Sequence, residues 1–78
     1  MTNFAERLKY YRGLKGWSQR KLAEASGVSI QSIEQYEVNK NLPNIVLLLW
    51  LCNALEVSAT DLIGSKYTTT APVDLDGF

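Results

Sequence analysis

The chain has no histidine, one cysteine and no net formal charge. Without histidine, neither a zinc site of the Cys/His type nor a histidine-based catalytic triad can be built. The single Cys52 excludes an internal disulfide, and no basic residue lies near it in sequence to activate its thiol, so we interpret it as a small buried hydrophobic residue. The hydroxyls and carboxylates that are present have no base, metal or phosphate cradle at a plausible spacing. These absences predict a non-enzymatic protein with neither metal nor cofactor.

Long hydrophobic runs are also missing. No apolar run reaches the roughly 20 residues that are needed to span a bilayer. The N-terminal residues, 1–7, contain no apolar region of the signal-peptide type. We therefore expect a cytoplasmic protein that does not bind a membrane. The 78 residues correspond to one domain with an adequate but marginal core.

The zero net charge hides an uneven distribution. Residues 1–40 carry seven lysines and arginines against four glutamates, a balance of +3, whereas residues 41–78 carry one lysine against four carboxylates, a balance of −3. Because the charge that attracts phosphate is local, the basic N-terminal half is compatible with nucleic-acid binding. A mixed, solvated surface would give the same totals, so charge alone leaves both interpretations open.

Residues 18–37 carry the strongest pattern in the chain. Ser18 and Ser29 can each begin a helix, because their hydroxyls can accept a hydrogen bond from an early free N–H group. Gly27, between them, can end the first helix because glycine takes a positive φ at no steric cost. The apolar residues of this stretch recur at helical spacing: Leu22, Ala23, Val28, Ile33 and Tyr36. Two short helices joined by so tight a corner cross steeply, which predicts a helix-turn-helix over residues 19–26 and 30–37.

Three further helices are predicted around this pair. Helix 1 covers residues 3–14 with Asn3 as its cap, and Leu14 and Trp17 are expected to close the first corner over the core. Helix 4 covers residues 45–56 with Asn44 as its cap, and a short helix 5 runs from a cap at Ser58 to Ile63. The predicted core face of helix 4 is Ile45, Leu48, Leu51, Cys52 and Leu55. The prediction is an all-α fold, a compact five-helix bundle.

This sequence resembles the Cro/repressor-type helix-turn-helix family, close to the lambdoid phage repressors, over about residues 4–63. The residues that carry the resemblance are Ser18-Gln19, Leu22-Ala23, Gly27-Val28-Ser29, Ile33 and Glu37. The resemblance implies a lambda-repressor-like DNA-binding domain over residues 1–64. Residues 65–78 leave the family pattern, and we expect an extended or partly mobile tail there.

The resemblance also implies which residues contact double-stranded DNA. The first turn of helix 3 enters the major groove in this motif. Gln35 lies one turn after Gln31, so the two amide side chains face the same way. The expected base-reading residues are therefore Ile30, Gln31, Ser32 and Gln35. The expected contacts to the DNA backbone are Gln19, Arg20, Ser29, Asn39, Lys40 and Asn41, although the three loop residues, 39–41, are equally well explained as turn chemistry. Arg12 and Glu37 occupy positions that form an ion pair in the family.

A second surface is predicted on helix 4. At about 100° per residue, Val46, Leu49, Trp50 and Asn53 point away from the core face. A contiguous apolar patch of this kind is seldom left uncovered on a monomer. The same face of a second copy would give a homodimer that reads a palindromic operator, which we favour. Alternatively, the tail could fold back and cover the patch.

Two classes of function remain from the sequence. The first is a sequence-specific DNA-binding transcriptional regulator of phage or bacterial type, controlled by its concentration, by DNA occupancy or by a regulatory protein partner. The second is a protein-interaction module, such as an antitoxin or an anti-repressor, that uses the same fold. Binding to a DNA duplex separates them.

Overall fold

The computed structural model describes residues 3–64, which form five α-helices and, within that range, no strand. The helices are α1 (Phe4–Leu14), α2 (Gln19–Ser26), α3 (Ile30–Glu37), α4 (Ile45–Leu55) and α5 (Ala59–Ile63). The predicted all-α fold is confirmed, and so are α2 and α3 to the residue. The tail predicted for residues 65–78 lies outside the described residues. Among the helices of residues 3–64, none is both long enough and apolar enough to cross a bilayer.

Every helix begins at a polar residue that was predicted as its cap. The side chains of Asn3, Ser18, Ser29 and Asn44 each accept a hydrogen bond from the backbone N–H three residues later, at 2.9–3.1 Å. Ser58 and Asp61 form a reciprocal capping box at 3.0 and 3.2 Å. Since a capping side chain contributes about 1 kcal/mol, the caps fix where each short helix starts.

The core contains one fully buried large side chain from each helix. These side chains expose none of their surface to solvent: Leu8, Leu22, Ile33, Leu51 and Leu62. Full burial of each contributes roughly 1.5–3 kcal/mol, so all five helices depend on the same small core. Cys52 is buried among them, as predicted, and this burial raises the pKa of its thiol, with a smaller effect from the carboxylate of Asp61. The thiol is therefore held in its neutral, unreactive form.

Three helices end in the same hydrogen-bonded motif. At the ends of α1, α3 and α4, a residue with positive φ is followed by an N–H that bonds to the carbonyl five residues back, the arrangement of a Schellman cap. The residues with positive φ are Gly16, Asn39 and Glu56, at 69°, 65° and 60°. Glu56 was predicted to continue helix 4, which is wrong by one residue. Its carboxylate lies 2.8 Å from Nζ of Lys15, which lowers the pKa of Glu56.

Two residues predicted for the core lie on the surface instead. Leu14 and Ile45 each expose 65% of their surface. The chain turns back at Gly16, so that half-buried Trp17 rather than Leu14 packs against the core. The error at Ile45 has a simple cause, because all eight residues from 45 to 52 are apolar and show no period from which to choose a face. The other four predicted core residues of helix 4 are buried.

Candidate nucleic-acid interface

The two helices of the predicted motif, α2 and α3, meet at a turn built by Gly27. This residue has a φ of 85°, and its N–H bonds to the carbonyl of Ala23 at 2.9 Å. Val28, with 3% of its surface exposed, then packs into the core. The turn therefore has a left-handed residue and a buried anchor at adjacent positions, and together they hold α3 across α2.

One face of α3 belongs to the core and the other to solvent. Ile33, Tyr36 and Glu37 are buried, whereas Gln31 and Gln35 are exposed one turn apart, as predicted. Ile30 and Ser32 are half-buried. The helix thus presents two amide side chains to solvent, while the buried residues on its opposite face hold its backbone in place.

The first turn of α3 is ordered by its two serines. Oγ of Ser29 accepts the backbone N–H of Ser32 at 3.1 Å and is hydrogen-bonded to Oγ of Ser32 at 2.9 Å. The helix cap therefore uses the Ser29 oxygen, and either hydroxyl can supply the proton of the second bond. The contact between the two hydroxyls was not predicted from the sequence.

The predicted pair of Arg12 and Glu37 forms and joins α1 to the end of α3. Nε of Arg12 donates to Oε2 of Glu37 at 2.7 Å, and Nη2 donates to Oε1 at 2.9 Å, which is a bidentate contact. Nη1 of Arg12 also donates to the carbonyl of Trp17 at 2.8 Å. The bonds with Glu37 raise the pKa of Arg12 further above its already high ordinary value. Only 3% of the Glu37 side chain is exposed.

Gln19 is a third member of this network, which the sequence did not reveal. Its Nε2 donates to Oε1 of Glu37 at 2.9 Å. The amide that was predicted to contact DNA phosphate thus has one hydrogen engaged with Glu37, and one hydrogen remains for another acceptor. The network connects the start of α2 to α1 and α3, so a contact made by Gln19 is mechanically tied to the position of α3.

The loop after α3 is folded back onto that helix. Asn39 supplies the left-handed conformation, and the N–H of Lys40 bonds to the carbonyl of Gln35 at 2.9 Å. The exposed Asn41 donates from Nδ2 to Oε1 of Gln35 at 3.4 Å. For Asn39, turn chemistry is therefore established, while a contact with phosphate stays a prediction.

Glycine and alanine at position 39 separate these two roles. Asn39→Gly should unfold at nearly the same denaturant concentration as the wild type, because glycine adopts positive φ freely. Asn39→Ala should be less stable by roughly 1 kcal/mol or more, because a β-carbon is strained there. Chemical denaturation measures both. Equal stability of the two variants would show that the turn does not depend on the conformation of Asn39. Loss of DNA affinity in Asn39→Gly would assign a contact to the amide itself.

Several exposed basic side chains lie at the start of α2 and in the loop after α3. Arg20, Lys21 and Lys40 are exposed and form no ion pair with any residue between 3 and 64. By contrast, Arg12 and Lys15 are paired with glutamates. Cationic side chains and the N–H groups at a helix start are the kinds of groups that bind phosphate. Among the described residues, no group of side chains is arranged to hold a metal ion.

A helix-turn-helix with exposed amides on its second helix and free cations beside it defines a DNA-binding domain of the type found in transcription regulators. Residues 8–62 match the model of the helix-turn-helix family, and the chain belongs to that family. It is 40% identical over 73 residues to the SPbeta prophage-derived uncharacterized HTH-type transcriptional regulator YonR of Bacillus subtilis. That match covers 94% of this chain and 65% of YonR.

A second relative and two solved structures agree with this family assignment. The HTH-type transcriptional regulator SutR of Escherichia coli is 35% identical over 66 residues, which cover 85% of this chain but 37% of SutR. The restriction-modification controller protein C.AhdI of Aeromonas hydrophila has a TM-score of 0.73 at 32% identity, over 77% of this chain and 91% of C.AhdI. The clp gene regulator ClgR of C. glutamicum has a TM-score of 0.68 at 34% identity, over 76% of this chain and 77% of ClgR. This chain thus spans less than two thirds of either YonR or SutR.

Proposed function

We propose that this protein is a sequence-specific regulator of transcription that binds duplex DNA with α3 in the major groove. One observation carries the proposal: Gln31 and Gln35 are exposed one turn apart on a helix whose opposite face is anchored by the core and by Glu37. A glutamine amide can bond to adenine through N6 and N7 together, and such a pair discriminates against a wrong base by roughly 1–3 kcal/mol. Ile30, at the start of α3, is suited to contact a thymine methyl group.

Contacts with the DNA backbone would orient this helix. Gln19 and Arg20 lie at the N-terminus of α2, where free N–H groups and the helix dipole favour a phosphate. Ser29 lies at the start of α3, and Lys40 lies in the loop that follows it. These residues would supply sequence-independent affinity and fix the register in which α3 enters the groove. A protein with this task works where the DNA is, which in a bacterial host is the cytoplasm.

Gln31→Ala tests this proposal directly. On the preferred duplex the variant should lose roughly 1–3 kcal/mol of binding free energy, whereas on an unrelated duplex it should bind as the wild type does. Fluorescence anisotropy with both duplexes at one fixed salt concentration gives the two values. Exposed Glu34, on the same helix, offers a matched control in Glu34→Ala, which removes a side chain that is not assigned to a base. An equal loss on both duplexes in Gln31→Ala would mean that Gln31 does not read sequence.

A homodimer is the second part of the proposal. The exposed apolar stripe of α4 is larger than the sequence indicated, because it includes Ile45. Its residues expose between 45% and 65% of their surfaces and follow one another at helical spacing: Ile45, Val46, Leu49 and Trp50. The exposed Asn53 follows on the same side. Covering this stripe with a second copy would remove it from water. It would also position the α3 helix of each copy to read one half of a palindromic site.

The stripe also favours a second candidate function, a protein-interaction module. An antitoxin or an anti-repressor would use the stripe to bind a different protein and would not need Gln31. Wild-type protein that binds no duplex with sequence preference, but captures a partner through the stripe, would favour this alternative over DNA-binding regulation.

A further inference from the structure

We propose that Asn41 is a positioning residue that sets which end of the Gln35 amide is presented to DNA. This inference rests on the proposed function, in which Gln35 reads a base. Asn41 itself was expected to contact phosphate, and the structure places its amide against Gln35 instead. The interaction is Nδ2 of Asn41 donating to Oε1 of Gln35 at 3.4 Å.

The orientation of the Asn41 amide is set at both ends. Its Oδ1 accepts the backbone N–H of Leu42 at 3.1 Å, so its Nδ2 is left to face Gln35. Reversing the Asn41 amide would place an NH₂ group against the N–H of Leu42. Asn41 is therefore a donor toward Gln35 and not an acceptor.

The loop that carries Asn41 is tied to the same residue through the backbone. The N–H of Lys40 bonds to the carbonyl of Gln35 at 2.9 Å, and the left-handed φ of Asn39 makes that return possible. Gln35 is thus held twice by the loop, once at its backbone carbonyl and once at its side-chain oxygen. The backbone contact already fixes the loop, so forming the side-chain contact requires little further loss of conformational freedom.

The chemical consequence concerns what Gln35 can recognise. An unrestrained glutamine can rotate its amide by half a turn and exchange donor for acceptor. A rotated Gln35 would place two NH₂ groups against each other, so the contact with Asn41 favours one orientation. In that orientation Nε2, which has no hydrogen-bond partner among residues 3–64, is the free end. Gln35 then presents a donor, which suits the acceptors of the major-groove edge, such as purine N7, guanine O6 and thymine O4.

The test compares Asn41→Ala with Lys40→Ala, its neighbour in the loop. Binding is measured on the preferred duplex and on duplexes changed at the base pair that Gln35→Ala identifies, at several salt concentrations. Asn41→Ala should reduce the preference at that base pair by about two- to tenfold, the worth of one neutral hydrogen bond, and leave the salt dependence unchanged. Lys40→Ala should weaken binding to all duplexes equally and lower the magnitude of the log–log salt slope by about 0.9.

Combining the substitutions distinguishes positioning from direct contact. Added to Gln35→Ala, Asn41→Ala should change the preference no further, because its effect runs through Gln35. A uniform loss of affinity in Asn41→Ala would instead make it a phosphate contact and overturn the inference. An unchanged preference in Asn41→Ala, where Gln35→Ala does change it, overturns the inference alone. A wild type without any sequence preference overturns both the inference and the proposed function.

Discussion

Arg12→Ala is expected to destabilise the fold by about 3–5 kcal/mol, the largest effect of any single change considered for this domain. The reason is the state in which it leaves Glu37. Of its bonds within residues 3–64, that carboxylate, with 3% of its side chain exposed, would keep only the one from Gln19. A small domain has about 5–15 kcal/mol of stability in total, so much of the population would be unfolded at elevated temperature.

Glu37→Ala should cost less than Arg12→Ala. The Arg12 side chain is 21% exposed, so its guanidinium can turn toward water once its partner is gone. The double substitution should lose less than the sum of the two single losses, because removing both partners leaves no buried charge. Thermal or denaturant melts of the four proteins provide this cycle. Additive losses would show that the two residues do not interact.

The Lys15–Glu56 ion pair is the natural control for this cycle. It is similarly short, at 2.8 Å, but 77% of the Glu56 side chain is exposed. Water and salt screen such a pair, so Lys15→Ala should shift the melting midpoint very little. A large shift of the melting midpoint from Lys15→Ala together with a small one from Arg12→Ala would show that burial does not decide which ion pair stabilises the fold more.

Trp50→Lys is expected to convert the proposed dimer into a monomer. A lysine in the apolar stripe would have to be desolvated in the interface, which is strongly unfavourable. Light scattering should then report the 8.8 kDa mass of one chain, where the wild type gives twice that mass. Binding to a full palindrome should weaken by about 10²–10⁴-fold, because the second half-site no longer benefits from a linked subunit.

A second variant guards against misfolding of the first. Ring atom Cε3 of Trp50 lies 3.7 Å from where a β-carbon on Gly27 would be, so Trp50 also supports the turn between α2 and α3. Leu49→Lys introduces a lysine into the stripe at the position next to Trp50 and should also give a monomer. Tyr10→Lys, on the exposed face of α1, replaces an aromatic residue that is 59% exposed and should leave the dimer intact. A wild type that is already monomeric at high concentration, and binds a palindrome without cooperativity, would rule the dimer out.

Features that depend on local chemistry were predictable from the sequence. Ser18, Ser29 and Ser58 were recognised as caps because their hydroxyls act on backbone groups only three residues away. Gly27 was recognised as the turn because few other residues adopt its conformation without strain. The Arg12–Glu37 pair was anticipated only through the family resemblance, since nothing local connects residues 25 positions apart.

Features that depend on three-dimensional neighbours were not predictable. The bonds of Gln19 to Glu37 and of Asn41 to Gln35 join side chains whose approach is decided by helix packing. Ile45 was misplaced because an uninterrupted apolar run carries no information about which side faces the core. Glu56 was extended into α4 because a glutamate gives no sign that it will adopt a left-handed φ. Of the candidate site, the sequence therefore indicated the residues but not the contacts that orient them.

Selection of bound duplexes from a random pool is the most direct test of sequence-specific DNA binding by this domain. We expect enrichment of one sequence with two-fold symmetry, whose half-sites are centred about 10 base pairs apart, one helical turn. Gln31→Ala should relax the selected sequence at one or two base pairs in each half-site and leave the spacing unchanged. A pool that remains random after repeated rounds with the wild-type protein would contradict sequence-specific DNA binding by this domain.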